Sequence, residues 1–174
     1  MNWRILAAMT PVVCAASMAA SADMRLRFVE SAPKDSFHIE NVGGCAIGGV
    51  ELVIDLSTSA GRLVFDVTDA GAGVEVYQPF QLVAGEDRVI SAIPVTDGDD
   101  MAHLTLREMA PGDKVVFTID VDDTLTTSEL GQIRVTGSEI NGASATIITS
   151  TDGAISAKFG RDAQATISYG DCSS

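Results

Sequence analysis

Apolar side chains recur at every second position through most of this chain. Leu26 and Phe28, Phe37 and Ile39, Val50 to Leu56 in steps of two, and Leu63, Phe65 and Val67 all alternate with polar or small residues. So do Leu104 and Leu106, Val115 to Val121 in steps of two, Ile133 and Val135, Ile155, Ala157 and Phe159, and Ala165, Ile167 and Tyr169. A β-strand sends successive side chains to opposite faces, so this period places one face of each segment in a core and the other in water. Turn-forming clusters punctuate the runs at 41–49, 57–61, 69–73, 97–100, Pro111-Gly112-Asp113, Asn141-Gly142 and Thr151-Asp152-Gly153. A spacing of about 8 to 15 residues is that of short antiparallel strands. No stretch of ten residues or more carries a convincing 3.6-residue period, which removes the helical crossovers that a parallel sheet requires. The expectation is an all-β fold, two antiparallel sheets packed as an immunoglobulin-like β-sandwich of about nine or ten strands. A closed β-barrel is the alternative.

Residues 1–22 are of another kind. A short n-region of Asn2, Trp3 and Arg4 precedes an uncharged run from Ile5 to Ala20, and Ala20-Ser21-Ala22 has the small-x-small pattern that signal peptidase accepts. This reads as a cleaved secretory signal, leaving 23–174 as a single domain in the periplasm or outside the cell. The run is broken by Thr10, Pro11 and Ser17 and falls short of the ~20 apolar residues a spanning helix needs. Val13 stands before Cys14 where a lipobox wants a smaller residue, which argues against lipidation. Beyond the leader two cysteines remain, Cys45 and Cys172, and an oxidising compartment makes a disulfide between them the expectation. Free thiols are the alternative, since bridging needs the two Cα atoms within ~7 Å.

With 11 Lys+Arg against 24 Asp+Glu, the net charge of -13 excludes nucleic acid as a partner, because duplex affinity comes from cations that displace counterions from phosphate. It weighs equally against anionic lipid. The mean hydropathy of +0.24 separates the chain from disordered acidic tails.

Five stretches carry likenesses to known proteins. The segment from Ser36 to Asp55, a strand, a glycine-rich turn and a second strand, resembles the opening of bacterial surface Ig-like modules. The runs Arg27–Asp35, Ala72–Phe80, Phe117–Thr124 and Val135–Gly142 together resemble the small secreted proteobacterial proteins named aggregation factor core proteins. That resemblance implies extracellular adhesion assisted by Ca²⁺, toward a protein or glycan at the cell surface.

The acidic residues give this a chemical counterpart. Asp97, Asp99 and Asp100 crowd the turn after Pro94, Asp120 and Asp122 share one strand face with Asp123 just beyond, and Glu139 sits in a later turn. Ca²⁺ takes six to eight oxygen ligands, and carboxylates crowded this closely repel one another until a divalent ion neutralises them. Asp also favours turns and solubilises strand ends with no metal at all, and neither cluster has EF-hand spacing. The metal reading strengthens if the two clusters meet at one end of the sandwich. His38 and His103 are the only histidines, each on an alternating strand, and no nucleophile elbow, zinc-protease or phosphate-loop motif appears. A non-catalytic module is therefore expected, with a small carboxylate hydrolase using Asp120 and Asp122 as the alternative. Tyr77-Gln78-Pro79-Phe80 belongs at an edge or in a loop, because proline cannot donate to a central ladder, and it could grip a peptide or sugar there.

Overall fold

The computed structural model describes residues 21–31, 34–69, 77–127, 134–150 and 153–172. Among them the strands are β1 (Ser21–Val29), β2 (Asp35–Asn41), β3 (Val50–Asp55), β4 (Val64–Phe65), β5 (Gln81–Ala84), β6 (Val89–Ala92), β7 (Met101–Leu106), β8 (Lys114–Ile119), β9 (Val121–Asp122), β10 (Ser144–Thr149), β11 (Gly153–Lys158) and β12 (Gln164–Asp171). One sheet runs β12-β1-β2-β8-β5, a second runs β11-β10-β3-β7-β6, and β4 pairs with β9 alone. Every ladder is antiparallel. The two large sheets pack face to face as a β-sandwich and do not close into a barrel, so the barrel alternative falls.

The period-two signal is realised as burial. Met24, Leu26 and Phe28 of β1, Phe37 and Ile39 of β2, and Val115, Phe117 and Ile119 of β8 meet Leu52 and Ile54 of β3, Leu104 and Leu106 of β7, and Ala145 and Ile147 of β10. Phe37 is the centre of this layer. Its ring stacks on Phe117 at 5.2 Å and lies 5.1 Å from Phe28, 6.4 Å from Phe65 and 6.5 Å from Phe159. Each such pair adds about 0.5–1.5 kcal/mol to the burial of the rings themselves.

The sequence reading has no strand at β5, β6 or β10, although Ala145 and Ile147 of β10 do alternate inward. β5 and β6 are the edges of opposite sheets, joined by a 3₁₀ turn at Glu86–Arg88, and neither buries a residue fully. Without a buried face, no alternation is imposed on them. The corner depends on Gly85, whose φ of 75° favours glycine and whose Cβ, if present, would stand 2.2 Å from the Lys114 carbonyl. Four apolar residues read as strand positions, Leu56, Leu63, Val135 and Phe159, are instead buried in connecting segments, and Ile133 lies outside the described residues. The long alternating run at 115–121 is divided at Asp120, where β8 ends and β9 begins.

β1 begins at Ser21, and Ala22 is already buried against the core; residues 1–20 of the expected leader lie outside the described residues. Beside this start, the buried amide of Asn41 donates to the carbonyls of Cys45 and Met109, both at 2.8 Å, and accepts from the Gly43 amide. That ties down the loop carrying Cys45, which is bonded to Cys172 with the Cα atoms 5.9 Å apart and 127 positions between them in sequence. The bridge thus staples the end of β12 to the β2–β3 loop. Replacing both cysteines by serine should leave a folded sandwich less stable by about 2–4 kcal/mol in urea unfolding, while Phe37→Ala should cost about 3–5 kcal/mol by the same measurement.

Candidate metal centre

The two-stranded ladder at the end of the sandwich sets the site. Phe65 and Val121 pair across it and send their side chains into the core, so the next residue along each strand faces the other way. Continuing the register, the Asp66 amide donates to the Asp120 carbonyl at 3.1 Å, placing these two aspartates directly opposite each other. Asp122, two residues from Asp120, shares its side. Carboxylate oxygens of Asp66, Asp120 and Asp122 lie within 4.8 Å of one another, and the three residues are 1%, 7% and 1% exposed.

The turn after Pro94 closes on the same strand from its other edge. Phe65 donates to the Asp99 carbonyl at 2.8 Å and Gly98 donates to the Phe65 carbonyl at 2.9 Å. One oxygen of Asp97 accepts from the Val67 and Thr68 amides, and its carboxyl lies within hydrogen-bonding reach of that of Asp66. The two acidic segments expected to hold metal therefore do meet, with Phe65-Asp66 as the strand between them.

The electrostatics follow from burial and like charge. Removal from water, then the neighbouring Asp97, Asp122 and Asp120, push the Asp66 carboxyl up to about 7. Burial and Asp122 push Asp120 up to about 7. Burial is also the main force on Asp35, at the start of β2, which stands at about 8 despite accepting from the Ser31 and Val121 amides, with Asp120 adding to the rise. Asp97 behaves differently. Burial acts to raise it, but the Val67 and Thr68 amides outweigh this and hold it below the ordinary aspartate range.

Hydrogen bonding singles the cluster out. Elsewhere Asn41 is fully bonded, Ser59 accepts from the Leu63 amide and Glu139 accepts from the Thr136 amide, while the Thr118 hydroxyl on β8 is a lone buried oxygen without a partner among the described residues. One buried oxygen each of Asp66, Asp97, Asp120 and Asp123 is reached by no N–H or O–H donor among the described residues. Such atoms are rare in native structures and call for a proton or an ion. Two oxygens bound to one Ca²⁺ at 2.3–2.6 Å stand at most about 5 Å apart, so three oxygens within 4.8 Å fit a single ion of that size. An all-carboxylate donor set of this kind suits a hard cation and would supply a charge of about minus three.

Of the residues expected to bind metal, Asp120 and Asp122 form this cluster and Asp97 abuts it. Asp99 instead caps its own turn, accepting from the Thr96 amide and hydroxyl, which lowers its carboxyl pKa. Asp100 contributes its backbone carbonyl to Leu56. Asp123 accepts from the Leu125 amide, and Glu139 lies in the 136–139 turn; neither belongs to the three-oxygen group. Asp66 was missed by the sequence reading. Its only signal is that it follows the alternating Leu63 and Phe65 as a lone acid, which does not disclose that Asp120 faces it. His38 and His103 both point outward from strands, His103 against Glu51 at 3.2 Å. Phe80 is packed on Phe117, and Pro79 immediately precedes edge strand β5. Compared with known proteins, the chain matches no family model, no curated protein and no solved structure.

The raised carboxyls make a signed prediction for the metal-free protein. Asp66, Asp120 and Asp35 bind protons more tightly folded than unfolded, where aspartate titrates near ~3.9. Their contribution is fully present below that value and is lost as pH rises through about 7 to 8. Urea unfolding in a chelator should therefore show stability falling from about pH 5 to pH 8. The lowered acids Asp97, Asp99 and Glu40 act in the opposite sense only nearer their own low pKa values, below this window, and His38, held below the ordinary histidine range, opposes the fall in its lower part as one group against three.

Proposed function

We propose that this chain is an exported, non-catalytic binding and adhesion module whose acidic end is fastened by Ca²⁺ held between Asp66, Asp120 and Asp122. The observation that carries this is that three buried carboxylates crowd within 4.8 Å of one another, with an oxygen each of Asp66 and Asp120 reached by no donor among the described residues where they oppose each other beyond the β4–β9 ladder. A bound cation would offset their repulsion and join three separate stretches, 64–68, 97–100 and 120–122, into one stiff end. The Cys45–Cys172 bond agrees with an oxidising compartment, and no helix among the described residues is long and apolar enough to cross a membrane. The resemblance to aggregation factor core proteins points the same way, toward Ca²⁺-assisted contact with a protein or glycan at the cell surface.

A hydrolase reading draws on one observation, that Asp66 and Asp120 titrate near neutrality as a general acid would. Yet these carboxyls are almost wholly covered, and the hollows of about 270, 330 and 460 Å³ on the described surface are lined by other residues. Coverage this complete suits a dehydrated ion, which needs an opening no wider than itself, better than a substrate.

The test is thermal unfolding of the chelator-stripped protein against added CaCl₂. A ligand at one hundred times its Kd stabilises the state it binds by about 2.7 kcal/mol, which for a chain of this length is roughly 5–10 °C in Tm. Asp66→Asn and Asp120→Asn should abolish the rise while leaving the metal-free Tm equal to or above that of the parent, since each removes a buried like charge. An unchanged Tm at millimolar Ca²⁺, or a rise that survives both substitutions, would overturn the proposal.

A further inference from the structure

The outer face of the first sheet holds a concentration of positive charge on a chain that is otherwise acidic. Alternation sends Met24, Leu26 and Phe28 of β1 inward and leaves Arg25 and Arg27 outside. Register then aligns Arg27 with His38 of β2 and Gln164 of β12, and Arg25 with Glu40, which faces Lys114 of β8. These six side chains surround a hollow of about 270 Å³. Glu40 is engaged twice, by Arg25 at 2.7 Å and by Lys114 at 3.2 Å. Arg27 has no carboxylate within ion-pair distance among the described residues. The hollow thus combines three permanent cations with one carboxylate, and the imidazole between them rests on the Ser36 hydroxyl at 3.2 Å.

We infer that this hollow is an oxyanion site, in which the guanidinium of Arg27, the imidazole of His38 and the ammonium of Lys114 receive a sulfate or phosphate group. A planar guanidinium with a free edge matches two oxygens of such a group. Gln164 beside it has its side-chain amide directed at the Asp162 carboxylate at 3.5 Å, and Thr166, opposite Arg25, extends a polar border. Among the residues lining the hollow only Ile39 is apolar, and none is Phe, Tyr or Trp; a lipid would need an apolar insertion surface and single-stranded nucleic acid a broad stacking platform. The net charge of -13 repels extended polyanions, so a local excess of cations selects a single oxyanionic group over a long phosphate chain. The site is on a different face from the buried aspartates and does not depend on them.

His38 supplies the readout. Burial and the cations Arg27 and Lys114 lower its pKa, and the other charged groups on this face are Arg25 and Asp23 on β1 and Glu40 on β2, with no charge from Gln164 and Thr166 of β12. An oxyanion in the hollow reverses the unfavourable field, so its binding must raise the His38 pKa, and by linkage protonation must tighten binding.

The experiment is an NMR titration of both histidine rings in the purified protein, exchanging sodium chloride for sodium sulfate at constant ionic strength. His103, on the other sheet against Glu51, is the internal control. The expected result is saturable binding with a Kd of about 1–10 mM, a His38 pKa raised by about one unit, and an unmoved His103. Arg27→Ala should weaken sulfate at least about tenfold while keeping the same response to Ca²⁺, which separates loss of this site from misfolding and from failure of the cation proposal. Equal shifts at both histidines, no saturation, or full binding by Arg27→Ala would overturn the inference. A parallel titration with glucose 6-sulfate distinguishes a free ion from a monomeric sulfate ester: tighter binding than sulfate assigns the site to the ester, and equal or weaker binding assigns it to the free ion.

Discussion

Asp66 and Asp120 stand opposite each other across a two-residue ladder, with Asp122 beside them and water excluded from all three. Like charges directly opposed on adjacent strands destabilise a sheet, and a carboxylate buried without donors carries a desolvation cost of several kcal/mol. The end of the sandwich can tolerate this arrangement in only two ways. Either the carboxyls hold protons, as their elevated pKa values near neutrality indicate for the metal-free chain, or a divalent cation replaces those protons. The two states have opposite pH dependence, and the choice between them sets how firmly segments 64–68, 97–100 and 120–122 are held.

The rest of the molecule is conventional in its energetics. One aromatic cluster around Phe37 joins the two sheets, and a satisfied buried amide at Asn41 with the Cys45–Cys172 bond pins the end of β12 to the β2–β3 loop. That rigidity is what allows β4 and β9, only two residues each, to hold their register. Phe65 and Val121 anchor the ladder by burial, and their opposite faces leave no other direction for the aspartates.

The sandwich was legible because burial imposes alternation, and wherever a strand has one wet face the sequence must record it. Val50 to Leu56 and Val115 to Ile119 are plain instances. β5 and β6 left no such record because both are exposed edges, and Phe159 looked like a strand residue because a buried plug in a turn satisfies the same pattern. At the site, Asp120 and Asp122 were legible as a pair on one strand face, since that relation is local. Asp66 was not, because its partnership with Asp120 spans more than fifty residues and arises only from ladder register. Asp99 and Glu139 were misleading for the opposite reason: acids that cap their own turns look the same in sequence as acids that await an ion. The cations around His38 escaped attention altogether, being divided between β1 and β8, which only the sheet brings to either side of β2.

A crystal structure of the protein grown in Ca²⁺ at neutral pH bears most directly on all of this. The account requires a peak of calcium density about 2.3–2.6 Å from oxygens of Asp66, Asp120 and Asp122. A cluster holding no ion at saturating Ca²⁺, with Asp66 and Asp97 or Asp120 joined by a short shared-proton hydrogen bond instead, would contradict it.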